Sequence, residues 1–244
     1  MTPVSHDPNC THCGGLGWRR AHPDAQPGAS GFGQLVPCHC NQAAQKQHHH
    51  RLQQLLNLPK RLWSWTFETF TVFDEPEPPQ GRGSNQAAYA AASAFAEAPR
   101  GWLLLTGPVG TGKTHLLAAI AHVCLAQQRP VAFATAPDLL DALRDGYADA
   151  TFDYPTRLNH LCTIEVLLLD DLGTEKPTEW AQEKLFQLLN ARYNAGLPTV
   201  VATNLPLRAL APRLRSRLTD RQLVHQVPVL TQDMRPVSRA QSTR

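Results

Sequence analysis

Leu103-Leu104-Leu105-Thr106-Gly107-Pro108-Val109-Gly110-Thr111-Gly112-Lys113-Thr114 is a short apolar strand that runs into the pattern G-x-x-x-x-G-K-T. The spacing predicts a nucleoside triphosphate site. Its glycines let consecutive backbone N–H groups turn inward on phosphates, so Gly107, Pro108, Val109, Gly110, Thr111 and Gly112 form the expected cradle. Lys113 then reaches the β and γ oxygens, and the Thr114 hydroxyl faces Mg²⁺. Residues 115–127 read as a helix whose N-terminus meets the anion. An apolar strand before the glycines and a helix after them separate a phosphate loop from an ordinary glycine turn.

Outward from this loop, strands and helices alternate. Residues 102–106, 130–134, 165–170 and 199–203 are apolar, partly β-branched runs, and helical patterns fill 115–127, 137–147 and 178–195. Buried runs joined by helices imply a parallel sheet covered on both faces, the doubly wound P-loop α/β class. Ahead of it lie an aromatic stretch at 61–73 with Trp63, Trp65, Phe67, Phe70 and Phe73, a Pro/Gly-rich loop at 74–83, and an alanine-rich helix at 86–98.

Three further signals carry chemistry. Val166-Leu167-Leu168-Leu169-Asp170-Asp171-Leu172-Gly173 delivers two carboxylates at a strand end, a Walker B pattern. Asp170 is assigned to Mg²⁺ and Asp171 to orienting the attacking water. Asn204, at the end of Thr199-Val200-Val201-Ala202-Thr203, is placed to polarise that water or sense the γ-phosphate, although asparagine after a strand also serves as a turn former. In Arg213-Leu214-Arg215-Ser216-Arg217-Leu218, a helix puts Arg213 and Arg217 on one face. The planar, permanently charged guanidinium suits a neighbour's γ-phosphate, and a surface helix meeting solvent or DNA backbone is the alternative.

At 244 residues the chain holds one sizeable α/β domain and a small appendage rather than two full domains. Eight arginines stand against two aspartates from Leu207 onward, so that end is expected to face something anionic, or to be a solvated basic surface. The polar start, Met1 to Cys10, and the absence of any apolar run near the ~18 residues of a membrane span predict a cytoplasmic protein without membrane contact. In that compartment six cysteines argue for metal binding or burial rather than disulfides. Cys10-Thr11-His12-Cys13 and Cys38-His39-Cys40 pair C-x₂-C with C-x-C and suit a closed tetrahedral Zn²⁺ site, with His12 or His39 as an alternative ligand for one sulfur. Cys124 and Cys162 read as small core residues, and His48-His49-His50 as a solvated face. The organisation expected is a zinc-binding module at 1–40, a basic linker helix at 41–60 and an ATPase domain at 61–244.

These motifs together resemble the AAA+ ATPases that load bacterial replicative helicases, the DnaC/DnaI type, and the related IstB-like transposition helpers. The likeness rests on GPVGTGKTHLLAAIA, on VLLLDDLGTEKPTEWAQEKLFQLLNARYNAGLPTVVATNL and on RLRSRL, and it extends back to Leu58-Pro59-Lys60-Arg61-Leu62 and Thr66-Phe67-Glu68-Thr69-Phe70. It covers roughly residues 58–235. The resemblance implies a Walker A pair in Lys113 and Thr114, a Walker B pair in Asp170 and Asp171, sensor 1 in Asn204 and an arginine finger in Arg217 acting in trans on a neighbouring subunit. It implies an ATP- and Mg²⁺-dependent loader of a replicative DNA helicase hexamer that binds single-stranded DNA around 138–161, where Arg144, Tyr147, Phe152, Tyr154, Arg157 and His160 lie. Those aromatics serve equally well as core. Asp233-Met234-Arg235 is similar to a terminal D-Y-R element of the family, and the cysteine module to zinc-bearing domains of helicase loaders. Because the second acid is Asp171 rather than a longer glutamate, slow turnover is expected, and a finger in trans makes it depend on assembly. The rival readings are an IstB-like transposition helper and a nucleotide-gated adaptor with negligible turnover.

Overall fold

The computed structural model describes residues 9–23, 26, 33–40, 50, 52–54, 56–72, 85–148 and 154–230; the side chains of 37, 145–148 and 154–157 lie outside that description. The chain divides into two compact units, 1–54 and 55–244. In the first, β1 (Trp18–Arg20) and β2 (Leu35–Pro37) pair antiparallel as a hairpin. Cys10, Cys13 and Cys38 are its buried cluster, with Cys40 packed against them. His50 and residues 52–54 are helical, while 41–49, with His48 and His49, lie outside the described residues.

In the second unit, helix α1 (Gln86–Glu97) leads into β3 (Trp102–Thr106), α2 (Lys113–Ala126) and β4 (Val131–Thr135). Then come α3 (Ala136–Ala148), α4 (Tyr154–Thr163), β5 (Val166–Asp170), α5 (Glu179–Ala195), β6 (Thr199–Thr203), α6 (Pro212–Leu218) and β7 (Val224–Pro228). The five strands form one sheet in the order β4-β5-β6-β3-β7, every pairing parallel. This is the expected α/β P-loop sheet. Leu104, Leu167, Leu169 and Val201 point to a core closed by α3, α4, α5 and α6. The alternate residues Leu103, Leu105, Leu168 and Val200 are equally buried on the face that α2 covers, which is why these strands read as unbroken apolar runs.

Two differences from the sequence reading concern elements. The insertion after β4 contains a second helix, α4, held to the core by Leu158 and Leu161. A fifth strand, β7, closes the sheet beside β3. Helix α5 begins with Thr178 as its N-cap, the hydroxyl accepting from Ala181 N, and ends at Gly196 in the left-handed region. Phe73, Phe152 and Asp233-Met234-Arg235 lie outside the described residues.

Candidate functional site

The strand order brings the C-terminal ends of β5, β6 and β3 side by side, the place where open α/β sheets bind ligands. At Thr106 the chain must leave the sheet beside two neighbours at once. Gly107 N donates to Thr203 O (3.3 Å) on one side, and Val229 N donates to Thr106 O (2.7 Å) on the other. A Cβ on Gly107, whose φ is 155°, would stand 2.2 Å from Val229 O, so only glycine fits this exit. Gly112, at φ 94°, then turns the chain into α2.

Lys113 is buried and donates through Nζ to the carbonyls of Gly107 (2.7 Å) and Pro108 (2.6 Å), which holds its ammonium inside the loop. Thr111 Oγ1 donates to Pro108 O (3.0 Å). Across the loop, the Asp170 carboxyl is 1% exposed, hydrogen-bonded to Thr114 and to Asp171 N (2.9 Å). Burial raises it to about 6; the Thr114 hydroxyl opposes this, Asp171 adds to it, and the Asp171 N–H and Lys113 oppose it. The two groups expected to share Mg²⁺ thus touch, and an acid so poorly solvated is one that a cation would relieve.

Asp171 sits in the left-handed region at φ 52°, a conformation that its short polar side chain tolerates. Its carbonyl accepts from Thr174 N (3.2 Å) and Thr174 Oγ1 (2.8 Å). Asn204 Nδ2 donates to Asp171 Oδ1 (3.4 Å), so Asn204 orients the second acid. Thr203 Oγ1 donates to Leu172 O (2.7 Å) and stitches β6 to the turn after β5. Lys113, Thr114, Asp170, Asp171 and Asn204 are therefore gathered into one chain of contacts.

Arg217 lies elsewhere. Its Nε donates to Asn190 Oδ1 (3.1 Å) and its guanidinium stands 4.6 Å from the Tyr193 ring centre, both on α5. Arg213 stands 5.6 Å over Phe186 of the same helix, so the two arginines do share a face. In the insertion, Arg144 pairs with Asp141 (3.2 Å) and stacks over Trp180 (5.1 Å). His160 Nε2 is buried without a hydrogen-bond partner among the described residues.

Two features are absent from the sequence reading. His115, directly after Thr114, clamps the segment 65–70 onto α2: its Nε2 meets Thr66 O (2.9 Å), and its ring stacks on Trp65 (5.2 Å) and meets the Phe70 edge (5.1 Å). Burial holds its pKa below the usual imidazole range, against the Thr66 hydrogen bond. The available signal was a histidine after G-K-T paired with an upstream aromatic cluster. The other is Arg192, fully buried, which donates to Thr199 Oγ1 and to the carbonyls of Leu161, Ile164, Glu165 and Pro198. Nothing in N-A-R-Y-N distinguishes it from a surface arginine.

The sulfurs of Cys10, Cys13, Cys38 and Cys40 lie within 4.8 Å of one another. A tetrahedral Zn²⁺ with Zn–S near 2.3 Å needs sulfurs about 3.8 Å apart, and Cys10–Cys38 (3.8 Å) and Cys13–Cys40 (3.5 Å) meet that spacing. Burial disfavours the Cys13 thiolate, but the Gly17 N–H (3.2 Å) and the neighbouring sulfurs outweigh it and bring the group to about 7. His39 lies against Cys38 Sγ (3.5 Å) and Cys10 Sγ (3.9 Å), at the edge of the sulfur set.

The family model described as "IstB-like ATP binding protein" matches residues 24–240. Chromosomal replication initiator protein DnaA of Gloeobacter violaceus is 35% identical over 166 residues, 64% of this chain and 34% of that protein. Replicative helicase loader DnaC of Escherichia coli K12 is 27% identical over 118 residues, 48% of each. The chain thus spans between 34% and 48% of the length of these curated relatives. The crystal structure of DnaI superposes with a TM-score of 0.59 at 22% identity, over 76% of this chain and 100% of that one, a likeness of fold. Matched along most of its length by that model, the chain belongs to the IstB-like ATP-binding family of AAA+ ATPases.

Proposed function

We propose that the chain is an ATP-dependent loader of a replicative DNA helicase, which binds ATP and single-stranded DNA and releases the helicase on hydrolysis. The observation that carries the nucleotide part is the contact chain from Thr114 through Asp170 and Asp171 to Asn204. Lys113 binds the β and γ oxygens, while Thr114 and Asp170 hold Mg²⁺, which neutralises phosphate charge. Asp171, oriented by Asn204, aligns the attacking water. Arg217 of a neighbouring subunit completes the site, so that turnover is slow and follows assembly. Cys10, Cys13, Cys38 and Cys40 hold Zn²⁺ and give residues 1–40 the folding energy that an apolar core does not supply. The linker at 41–60 joins that module to the ATPase domain, and the insertion at 138–161 contacts the DNA strand. The family's name favours a second reading, a transposition helper that recruits its transposase along ATP-bound DNA.

Phosphate release with and without single-stranded DNA tests the enzyme. Wild type is expected to turn over slowly and faster on DNA, and Asp171→Asn to lose roughly a hundredfold. Equal silence of both proteins while ATP still binds replaces the enzyme with a nucleotide-gated adaptor. Arg217→Ala is expected to remove DNA-stimulated hydrolysis and leave ATP binding by isolated subunits intact; loss of that binding contradicts a role in trans.

A further inference from the structure

Arg217 is held in place by uncharged groups. Asn190 and Tyr193 lie one turn apart on the same face of α5, where Asn190 Oδ1 accepts from Arg217 Nε (3.1 Å) and the guanidinium carbon stands 4.6 Å from the Tyr193 ring centre. Three other arginines of the domain are neutralised or saturated: Arg129 pairs with Glu165, Arg144 with Asp141, and Arg192 gives its fork to Thr199 and four carbonyls. Arg217 makes no ion pair among the described residues, and none of their hydrogen bonds engages its Nη1 or Nη2.

The neighbouring acid is diverted. Asp220 follows α6 and is near enough for its charge to act on Arg217, yet both its oxygens are taken: Oδ2 accepts from the Tyr193 hydroxyl (2.5 Å) and Oδ1 from Gln222 N (2.9 Å). The same hydroxyl bond fixes the tyrosine ring, which also meets Trp102 of β3 edge to face, with ring centres 6.2 Å apart. Between the two holders in sequence, Arg192 ties this turn of α5 to the carbonyls of Leu161, Ile164, Glu165 and Pro198, so Asn190 and Tyr193 stand on rigid ground.

An arginine lying over an aromatic ring on a surface is ordinary, and covering apolar area explains the Tyr193 contact. It does not explain an amide that fixes Nε, or a tyrosine that keeps the neighbouring carboxylate from pairing with the guanidinium. Held at Nε and across its face, Arg217 has lost most of its rotamer freedom before any phosphate arrives, and the Nη edge that takes phosphate oxygens stays uncommitted. We propose that Asn190 and Tyr193 are positioning residues for the arginine finger, which set the Nη edge of Arg217 for the γ-phosphate bound by a neighbouring subunit; this rests on the reading of Arg217 as acting in trans. Their effect therefore belongs to the neighbour's site and not to their own.

The test mixes two full-length chains on single-stranded DNA with ATP and Mg²⁺. The receiver, Arg217→Ala, keeps its own nucleotide site; the donor, Asp171→Asn, keeps its finger. Phosphate release is read as donor is titrated over a fixed amount of receiver, and hydrolysis is expected to rise to a plateau. A donor that also carries Asn190→Ala or Tyr193→Leu is expected to lower that plateau roughly tenfold or more, and Asn190→Ala decides the matter if Tyr193→Leu does not fold. In the receiver, whose arginine is already gone, the same substitutions are expected to leave the plateau where it was. A plateau that is unchanged, or merely reached at higher donor concentration, reports at most a weaker interface; it overturns the positioning role and leaves the finger reading standing. An equal loss from either subunit overturns it as a general structural effect, and a higher plateau overturns it by making the two contacts a restraint on the finger. No hydrolysis with the unsubstituted donor overturns the reading in trans, and this inference with it.

Discussion

Asp170 shows how one residue sets function against stability. Its carboxyl titrates near 6 in the folded chain, because burial outweighs the Thr114 hydrogen bond, against 3.8 for a solvated aspartate. Below pH about 4 it is protonated folded or unfolded. As pH rises towards 6 the unfolded chain gives up its proton first, so stability falls across that window, and above it the full cost, on the order of 3 kcal/mol, is present. Asp170→Asn keeps an oxygen for Thr114 and the Asp171 N–H but never ionises. In Mg²⁺-free, nucleotide-free buffer it is expected to be the more stable protein at pH 8, by on the order of 2 kcal/mol, with the difference shrinking towards pH 4. Urea denaturation at both pH values measures this, and an unchanged gap refutes it. The same variant should lose Mg²⁺-dependent ATP affinity.

Among the elements, α5 connects more of the molecule than its polar sequence suggests. It packs Ala181, Leu185, Leu188 and Leu189 into the core, and Arg192 in its last turn ties the end of α4 to the starts of β5 and β6 through four carbonyls. Arg192→Leu would strand those carbonyls, and a loss of at least about 3 kcal/mol is expected in urea unfolding. Arg192→Lys should recover little, since an ammonium cannot reproduce the fork. None of this was legible in the sequence, where a guanidinium bound to four carbonyls and one threonine hydroxyl leaves no acidic partner to notice. The interior strands were legible because both faces are covered and every residue is apolar. Strand β7 was not: at the sheet edge Val224 and Val227 are buried while His225 and Gln226 face solvent, so it lacks a continuous run. Helix α4 escaped for a related reason, since Leu158 and Leu161, with Cys162 partly buried beside them, are all that anchor its described part. Lys113 could be named from the G-x-x-x-x-G-K-T spacing, and Asp170, Asp171 and Asn204 from strand ends that follow it in order, whereas the docking of 65–70 on His115 needs the fold.

At the scale of the whole chain, the two units are held by different physics. The larger buries a continuous apolar core, and the smaller gathers four sulfurs. If Cys10, Cys13, Cys38 and Cys40 hold Zn²⁺, chelation is expected to expose residues 1–54 to protease while the sheet and ATP binding persist; cleavage followed by mass spectrometry and nucleotide titration reads both. Survival of the small unit without metal would refute a zinc-held fold. Among the described residues no helix is long and apolar enough to cross a membrane. The close approach of Gly107 to Val229 also bears on the order in which the domain is made. The phosphate loop is folded against Val229, the residue after β7, so it is expected to take its finished shape only once that residue has been synthesised. A ribosome still short of Val229 carries Lys113, Asp170 and Asn204 without the backbone on which the loop rests, so ATP capture is expected late in the birth of this protein.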